Sequence, residues 1–490
     1  MRPIRISIYI WLVIALLGVV CVLIPDDGWH IGPLQLRFPT LAEALDLQPQ
    51  STTTTLDSLA YIDEIDTIPA IDSIAHIDTI TAPQLPDSAK GLESPAIVAP
   101  PVQLPAEQST LDTRRHLACF YAALDSASHM PIRIVHYGDS QIEEDRITNI
   151  LREEWQKQYG GGGVGLIPLH QTIPTRSIRQ WIYINGTIQT AQGGPKRYIV
   201  YGPRSMRLTD DAYGVMGQVA VMDSTLVAGS QDIKLHIEPA GKKRLPYHYF
   251  SRVRLLTDSV NLTLLSPSIN DSLALMDSIY TVQLPDSTTQ CDMRLQGKGR
   301  VYGISLENPT GLIVDNIPMR GCSGNIFTKM DSMQLATFFS QTNTRLIIMQ
   351  FGGNMIPQTE NPSTISGYVR STMRQQVRYL RACAPQAAIL FIGPSDMSTN
   401  IDGQMTTYPL VPYMDKLLKK MAAEEQIAYW SIYDAMGGKD SMVRWVEIGL
   451  AGSDYVHFTR TGANKMGKML YEWLMDYQPD SLNTQLETLN

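Results

Sequence analysis

The chain changes texture twice, and those two changes constrain its fold more than any single motif. From about residue 109 it reads as alternating helix and strand. Leu117, Phe120, Tyr121 and Leu124 recur at helical spacing, "IRIVHYG" (132–138) reads as a buried strand, and Ile147, Ile150, Leu151 and Trp155 mark the next helix. From about 171 to 300 short alternating runs take over, among them "WIYING", "QVAVMD", "IKLHIE", "VRLLTD" and "YTVQLP", separated by Gly, Pro, Asn and Asp. That is the pattern of a β-sandwich. Strand–helix alternation then returns with "RVYGISLEN", "RLIIMQFGG", "AAILFIGPSD" and "IAYWSIYDA", spaced by helical stretches near 331–341, 366–383, 411–425 and 462–475. The expected architecture is an α/β domain with a parallel sheet, built from 109–170 and 301–478 and interrupted by an inserted β-sandwich at 171–300.

The amino-terminal segment has a different character. Arg2 and Arg5 precede the apolar run Ile6 to Ile24. About 19 residues at roughly 1.5 Å each nearly cross a hydrocarbon core of about 30 Å. No small-x-small cleavage site follows, so residues 1–25 are expected to form a retained transmembrane helix. The basic flank would sit in the cytoplasm, with the body outside a bacterial inner membrane, in the periplasm. Residues 26–108 repeat Ile-Asp units and then become Pro-rich, the composition of a low-complexity tether. A short ordered piece is expected around "GPLQLRFPTLAEAL", and residues 479–490 read as a tail.

Composition excludes several classes. At 490 residues and 44% hydrophobic the chain buries a large core, and a net charge of −8 offers no basic footprint for nucleic acid. The five cysteines are widely spaced and odd in number, with neither metal spacing nor a disulfide framework. No cofactor motif or metal-ligand cluster is visible. "YGGGGVG" (159–165) lacks the Gly-Lys-Ser/Thr ending of a phosphate loop and reads as a flexible turn.

In an open parallel sheet, chemistry gathers at the carboxyl ends of the strands. Four fragments fall there. "GDS" (138–140) ends the first strand, and "MRGCSGN" (319–325) is expected after the strand containing Tyr302 to Leu306. "FGGNM" (351–355) ends the next, and "GSDYVHFT" (452–459) precedes the last helix. A serine hydroxyl is a poor nucleophile until a base takes its proton. Ser140 is the candidate nucleophile, His457 the base, and Asp454 the group that orients and stabilises the imidazole. The Ser140 and Gly324 backbone N–H groups and the Asn354 side-chain amide are the candidate oxyanion donors.

Together the fragments resemble the four sequence blocks of the SGNH/GDSL hydrolases: "GDS", "CSGN", "GGN" and "DYVH". The resemblance covers about 111–170 and 300–478. It implies a three-layer, flavodoxin-like domain with Ser140, Asp454 and His457 as the triad and Ser140, Gly324 and Asn354 as the oxyanion hole. Gln141 stands where the common name has leucine, and Met355 follows the third-block asparagine where aspartate is frequent. The interrupting β module is similar to that of cell-wall O-acetylesterases of the superfamily, with a carbohydrate-binding-like sandwich. The implied activity is removal of O-acetyl groups from a cell-envelope glycan such as peptidoglycan. Two other readings use the same residues: a glycan O-acetyltransferase served by a membrane acyl-transfer partner, and a non-catalytic glycan-binding protein.

Overall fold

A strand covered on both faces has almost no exposed residue, and Pro131–Gly138 is such a strand: only its first residue is partly open to solvent. The structure around it is a computed structural model that describes residues 29–31, 34–36, 106–184, 187–189, 194–222, 232–241, 244–258, 260–266 and 279–476. The chain divides into two units, Met1–Ala60 and Tyr61–Asn490. In the first, β1 (Trp29–Ile31) and β2 (Leu34–Leu36) pair antiparallel, with Trp29 opposite Leu36. The apolar run 6–24, most of the tether and the tail lie outside the described residues. Among the described residues no helix is long and apolar enough to cross a membrane.

The second unit begins with α1 (Ala106–Leu124), whose Leu117, Phe120, Tyr121 and Leu124 are all buried. Strand β3 (Pro131–Gly138) follows, then a 3₁₀ turn at Ser140–Asp145 and α2 (Thr148–Tyr159). The glycine run after α2 is a tight crossing rather than a flexible turn. At Gly163 φ is +72°, and a Cβ there would lie 1.9 Å from the Leu306 carbonyl oxygen. Only glycine threads the chain through.

Next come β4 (Gly165–Ile167), β5 (Ile178–Ile184), β6 (Thr187–Ile188), β7 (Lys196–Ile199), β8 (Gln218–Met222) and β9 (Asp232–Pro239). They continue as β10 (Phe250–Thr257), β11 (Asn261–Ser266), β12 (Ile279–Thr288), β13 (Cys291–Gln296) and β14 (Gly299–Glu307). These strands form two antiparallel sheets, β12-β10-β14-β8-β7 with β4 on β14, and β11-β13-β9-β5-β6. Ile182, Leu235, Ile237, Val253, Leu255, Met293 and Ile304 fill the space between them.

The remaining elements are β15 (Gly311–Pro318), α3 (Ser332–Gln341), β16 (Thr344–Gln350), α4 (Pro362–Gly367) and α5 (Arg374–Cys383), with a π turn at Tyr368–Met373 between the last two. Then come β17 (Ala388–Ile392), the hairpin β18 (Ser398–Ile401) and β19 (Gln404–Thr407), α6 (Val411–Glu424), β20 (Ala428–Trp430), α7 (Ile432–Met436), α8 (Ser441–Glu447) and α9 (Arg460–Met475).

Strands β15-β3-β16-β17-β20 make one all-parallel sheet. Alternate residues serve opposite faces. Ile132, Ile134, Leu346, Ile348 and Leu390 pack with Leu117, Phe120 and Leu470 on one side. Val135, Tyr137, Ile347, Met349 and Phe391 pack with Phe339, Leu380 and Leu418 on the other. Each such side chain contributes roughly 1.5–3 kcal/mol of apolar burial. The result is a three-layer α/β arrangement.

One strand differs from expectation. "RVYGISLE" is β14 and belongs to the antiparallel sandwich, paired with β10 and β8. The parallel strand is the next run, "GLIVDNIP", which lies beside β3 along its whole length. Both runs are apolar and of strand length, so periodicity does not separate them.

The two layers are pinned where β14 meets β3. Arg133 reaches Asp315 at 2.7 and 2.8 Å and Ser305 at 3.1 Å, and it also pairs with Glu307. Glu307 in turn receives Arg252 at 2.6 Å and Arg254 at 3.0 Å. Burial alone would neutralise Glu307, but Arg133, Arg254 and Arg252 hold its carboxyl below the ordinary value.

Candidate active site

The site is assembled by loops at the carboxyl edge of the parallel sheet. After β3, Asp139 caps the 3₁₀ turn, its Oδ1 accepting the Gln141 N–H at 3.0 Å. Ser140 is the first residue of that turn, where backbone N–H groups have no partner within the turn. Its Oγ lies 2.8 Å from His457 Nε2. On the far side of the ring, His457 Nδ1 lies 2.8 Å from Asp454 Oδ2. A carboxylate at Nδ1 fixes the proton there and leaves Nε2 free to accept the serine proton.

The 452–459 loop holds this histidine firmly. Asp454 Oδ1 accepts the N–H groups of Val456 and His457, both at 3.0 Å. Ala451 bridges to Phe458, and Thr459 caps α9. Burial opposes ionisation of Asp454. The bond from the His457 ring and the two N–H groups outweigh it and bring the carboxyl down to about 2.

The expected oxyanion donors meet protein acceptors. Gly324 has φ +87°, and a Cβ there would stand 2.8 Å from the Phe351 ring, so the position demands glycine. Its N–H points to Cys322 Sγ at 3.2 Å. Burial pushes the Cys322 thiol up to about 12, so the sulfur is a neutral acceptor. Asn354 Nδ2 bonds Asp139 Oδ2 at 3.2 Å and the Cys322 carbonyl at 3.1 Å. Ser140, His457 and Asp454 therefore form one hydrogen-bonded series, while Gly324 and Asn354 meet at Cys322 and reach the nucleophile turn through Asp139. The second-block loop follows β15 rather than the strand containing Tyr302 to Leu306. The π turn places the Tyr368 hydroxyl against the Ser323 carbonyl, steadying that loop.

Three contributions could not be read from residue identity, although Asp139 and Gln141 lie in and beside the first motif. Gln141 Nε2 donates to the Val456 carbonyl at 2.6 Å and Ser395 Oγ at 3.2 Å, tying the serine turn to the histidine loop. His136, fully buried beneath the turn, lies 2.9 Å from Thr148 Oγ1 and 3.1 Å from Gln350 Oε1, and burial lowers it to about 4. Asp139, also buried, is pushed up to about 6, with the Gln141 N–H and the His457 charge opposing the shift.

A parallel sheet with serine, histidine and aspartate in series at its carboxyl edge is the geometry of a serine hydrolase. Residues 286–465 match the GDSL-like Lipase/Acylhydrolase family. Over that stretch the chain is similar to the SGNH/GDSL hydrolases, as its sequence blocks imply. The matched stretch contains Gly324, Asn354, Asp454 and His457, and the β module separates it from Ser140. Among solved structures, the chain is similar to a peptidoglycan O-acetylesterase at 20% identity and a TM-score of 0.53, covering 75% of this chain and 96% of that one. A Bacillus subtilis protein matches at 12% identity and a TM-score of 0.28, covering 60% and 90%. An acetyl xylan esterase matches at 10% identity and a TM-score of 0.24, covering 33% and 80%. At these identities the first similarity is one of fold. No curated protein matches the sequence.

Proposed function

We propose that this protein is a serine esterase that removes small acyl groups, acetyl foremost, from a cell-envelope glycan such as peptidoglycan. The observation that carries the reading is the Ser140–His457–Asp454 series, with 2.8 Å at each step. Ser140 Oγ attacks the ester carbonyl as His457 Nε2 takes its proton, and Asp454 stabilises the imidazolium. The imidazolium returns that proton to the departing sugar oxygen, leaving an acyl-enzyme. Water activated by His457 then releases the carboxylic acid and restores Ser140.

The negative charge on the tetrahedral oxygen is met by the Ser140 and Gly324 N–H groups and the Asn354 amide. An oxyanion is a far better acceptor than a thiol or a peptide carbonyl, so it draws Gly324 away from Cys322 Sγ and Asn354 away from the Cys322 carbonyl. The apolar run 6–24 anchors the chain in an inner membrane, and the tether carries the catalytic body into the periplasm.

Acetate release from an acetylated glycan by the detergent-solubilised full chain and by Ser140→Ala tests the reading, with and without an unacetylated oligosaccharide acceptor. Serine-dependent release into water supports the esterase. Acetyl appearing on the acceptor with little free acetate makes it a transferase, served by a membrane acyl donor. Equal rates for the two proteins remove the nucleophile and leave a glycan-binding protein.

A further inference from the structure

Three residues beyond Ser140, the turn spends a buried acid on holding an exposed cation. Glu143 has a side chain only 5% exposed, and its Oε2 accepts both Nε and Nη2 of Arg320, at 3.1 and 2.8 Å. Arg320 itself is 58% exposed and lies four residues before Gly324. Desolvating a carboxylate to fix a surface guanidinium is a poor way to gain stability. It does fix the direction in which the planar fork faces.

Arg320 lines a cavity of about 220 Å³ between the serine turn and the β module, with Asn316, Thr172, Gln218 and Arg197 among its other walls. A second cavity of about 430 Å³ shares Thr172, Gln218 and Arg197 with the first and adds Lys196. The two form a trough leading away from the nucleophile loop across the sandwich. Its acids and bases are paired near the serine turn, and the excess of cations lies at the far end. The acids on the walls are Glu143, Glu144 and Asp145. Glu143 is held by Arg320, Glu144 stands between Arg146 and Arg176, and Asp145 pairs with Arg152 at 2.6 Å. Farther along, among the described residues Arg197 bonds only the neutral Thr172 hydroxyl, and Lys196 rests over the Tyr198 ring at 4.7 Å. Among the described residues, no acid lines the second cavity.

We propose that this trough is a carboxylate subsite, so that the esterase selects acyl groups carried on acidic rather than neutral glycans, with Arg320, Arg197 and Lys196 as its specificity-determining residues. The inference rests on the esterase reading for its catalytic consequence, but binding tests it separately. A carboxylate farther along the glycan from the ester would meet Arg197 and Lys196. One next to the ester would meet the open edge of the Arg320 fork.

The experiment has two arms. In the first, the full-length Ser140→Ala chain is titrated calorimetrically with deacetylated oligogalacturonate and with neutral xylo-oligosaccharide of equal length. The acidic oligomer is expected to bind about tenfold more tightly at 50 mM salt and to lose that advantage near 0.5 M. Arg320→Gln and Arg197→Gln each remove about two- to threefold of that advantage. Arg197→Gln gives up only the Thr172 bond, so it guards against disruption around Glu143. In the second arm, wild type is assayed on acetylated oligogalacturonate and acetylated xylo-oligosaccharide, and the same preference should appear in KM. Equal, salt-insensitive binding of the two oligomers overturns the subsite whatever the catalytic result. Preferential binding without acetate release from either substrate would leave the subsite standing and confine its consequence to binding, while the esterase reading is decided separately by Ser140-dependent acetate release from acetylated peptidoglycan.

Discussion

A polar network stands at each end of strand β3, and the protein treats the two in opposite ways. Arg133 meets Asp315 and Glu307 with all three side chains at 0% exposure, and the cluster closes on itself. At the other end, Ser140, His457 and Asp454 stand in a line, with the histidine 31% and the aspartate 46% exposed. The closed cluster has its charges answered from within, so it locks two layers together and offers nothing to a ligand. The open series ends in the half-buried Ser140 hydroxyl, 2.8 Å from His457 Nε2. Similar side chains make a fastener where the network closes and a candidate active site where it stays open.

The comparison breaks most visibly at the open end. Ser140→Ala or His457→Ala is expected to cut acetate release by about 10⁴-fold or more while the thermal midpoint stays near that of wild type. Loss of structure in parallel with loss of activity would merge the two roles. At the closed end, Arg133→Met leaves Asp315 and Glu307 without their shared cation and should cost about 3–5 kcal/mol in denaturant unfolding. The activity of the molecules that remain folded should stay close to wild type. An unchanged midpoint would show that the cluster fastens nothing.

Two buried groups near Ser140 sharpen the contrast through pH. Asp139 is raised from 3.8 to about 6, so the folded state favours its protonated form, and its contribution to stability is lost as pH rises from 4 to 6. His136 is lowered from 6.5 to about 4, so its contribution is gained as pH rises over nearly the same window. The two slopes oppose each other in wild type. Relative to wild type, Asp139→Asn should gain about 2 kcal/mol in stability between pH 4 and 6, and His136→Gln should lose a similar amount. Asp454, near 2, adds stability that is lost only as pH falls below 3.8. Unfolding titrations at half-unit pH intervals measure all three, and parallel profiles for wild type and both variants would contradict the assignment.

The smallest expected effect concerns Cys322, the resting partner of the Gly324 N–H. Cys322→Ala frees that donor and should raise kcat by up to about threefold. Cys322→Ser supplies a stronger acceptor and should lower kcat a few-fold. No change in either variant would mean that the Gly324 N–H is not limiting.

How much of this was legible in the sequence follows from what each signal encodes. The four motif fragments carried Ser140, Gly324, Asn354, Asp454 and His457, because chemistry restricts residue identity and strand ends restrict position. Most sandwich strands were legible from their alternation, although β13 ("CDMRLQ") was not. Its polar members Asp292 and Arg294 hide a run whose Cys291, Met293 and Leu295 are buried. Strand β15 was masked by β14, only three residues upstream and equally apolar. The Arg133 cluster was invisible because hydropathy assigns charges to the surface, and its partners lie more than 170 residues away in sequence. Gln141 looked like a departure from the family pattern, yet its contact with Val456 appears only once the two loops meet. The partners of Gly324 and Asn354 depend on a few degrees of loop geometry that residue identity does not encode.

The most direct test of the central claim is covalent labelling. A small alkyl fluorophosphonate reacts with a serine whose proton a neighbouring base removes, so peptide mass mapping after brief exposure reports activation itself, independent of the natural substrate. The account predicts one label per chain, on Ser140, with labelling slowed by several orders of magnitude in His457→Ala and much reduced in Asp454→Ala. A label at another residue, or an undiminished rate in His457→Ala, would contradict it.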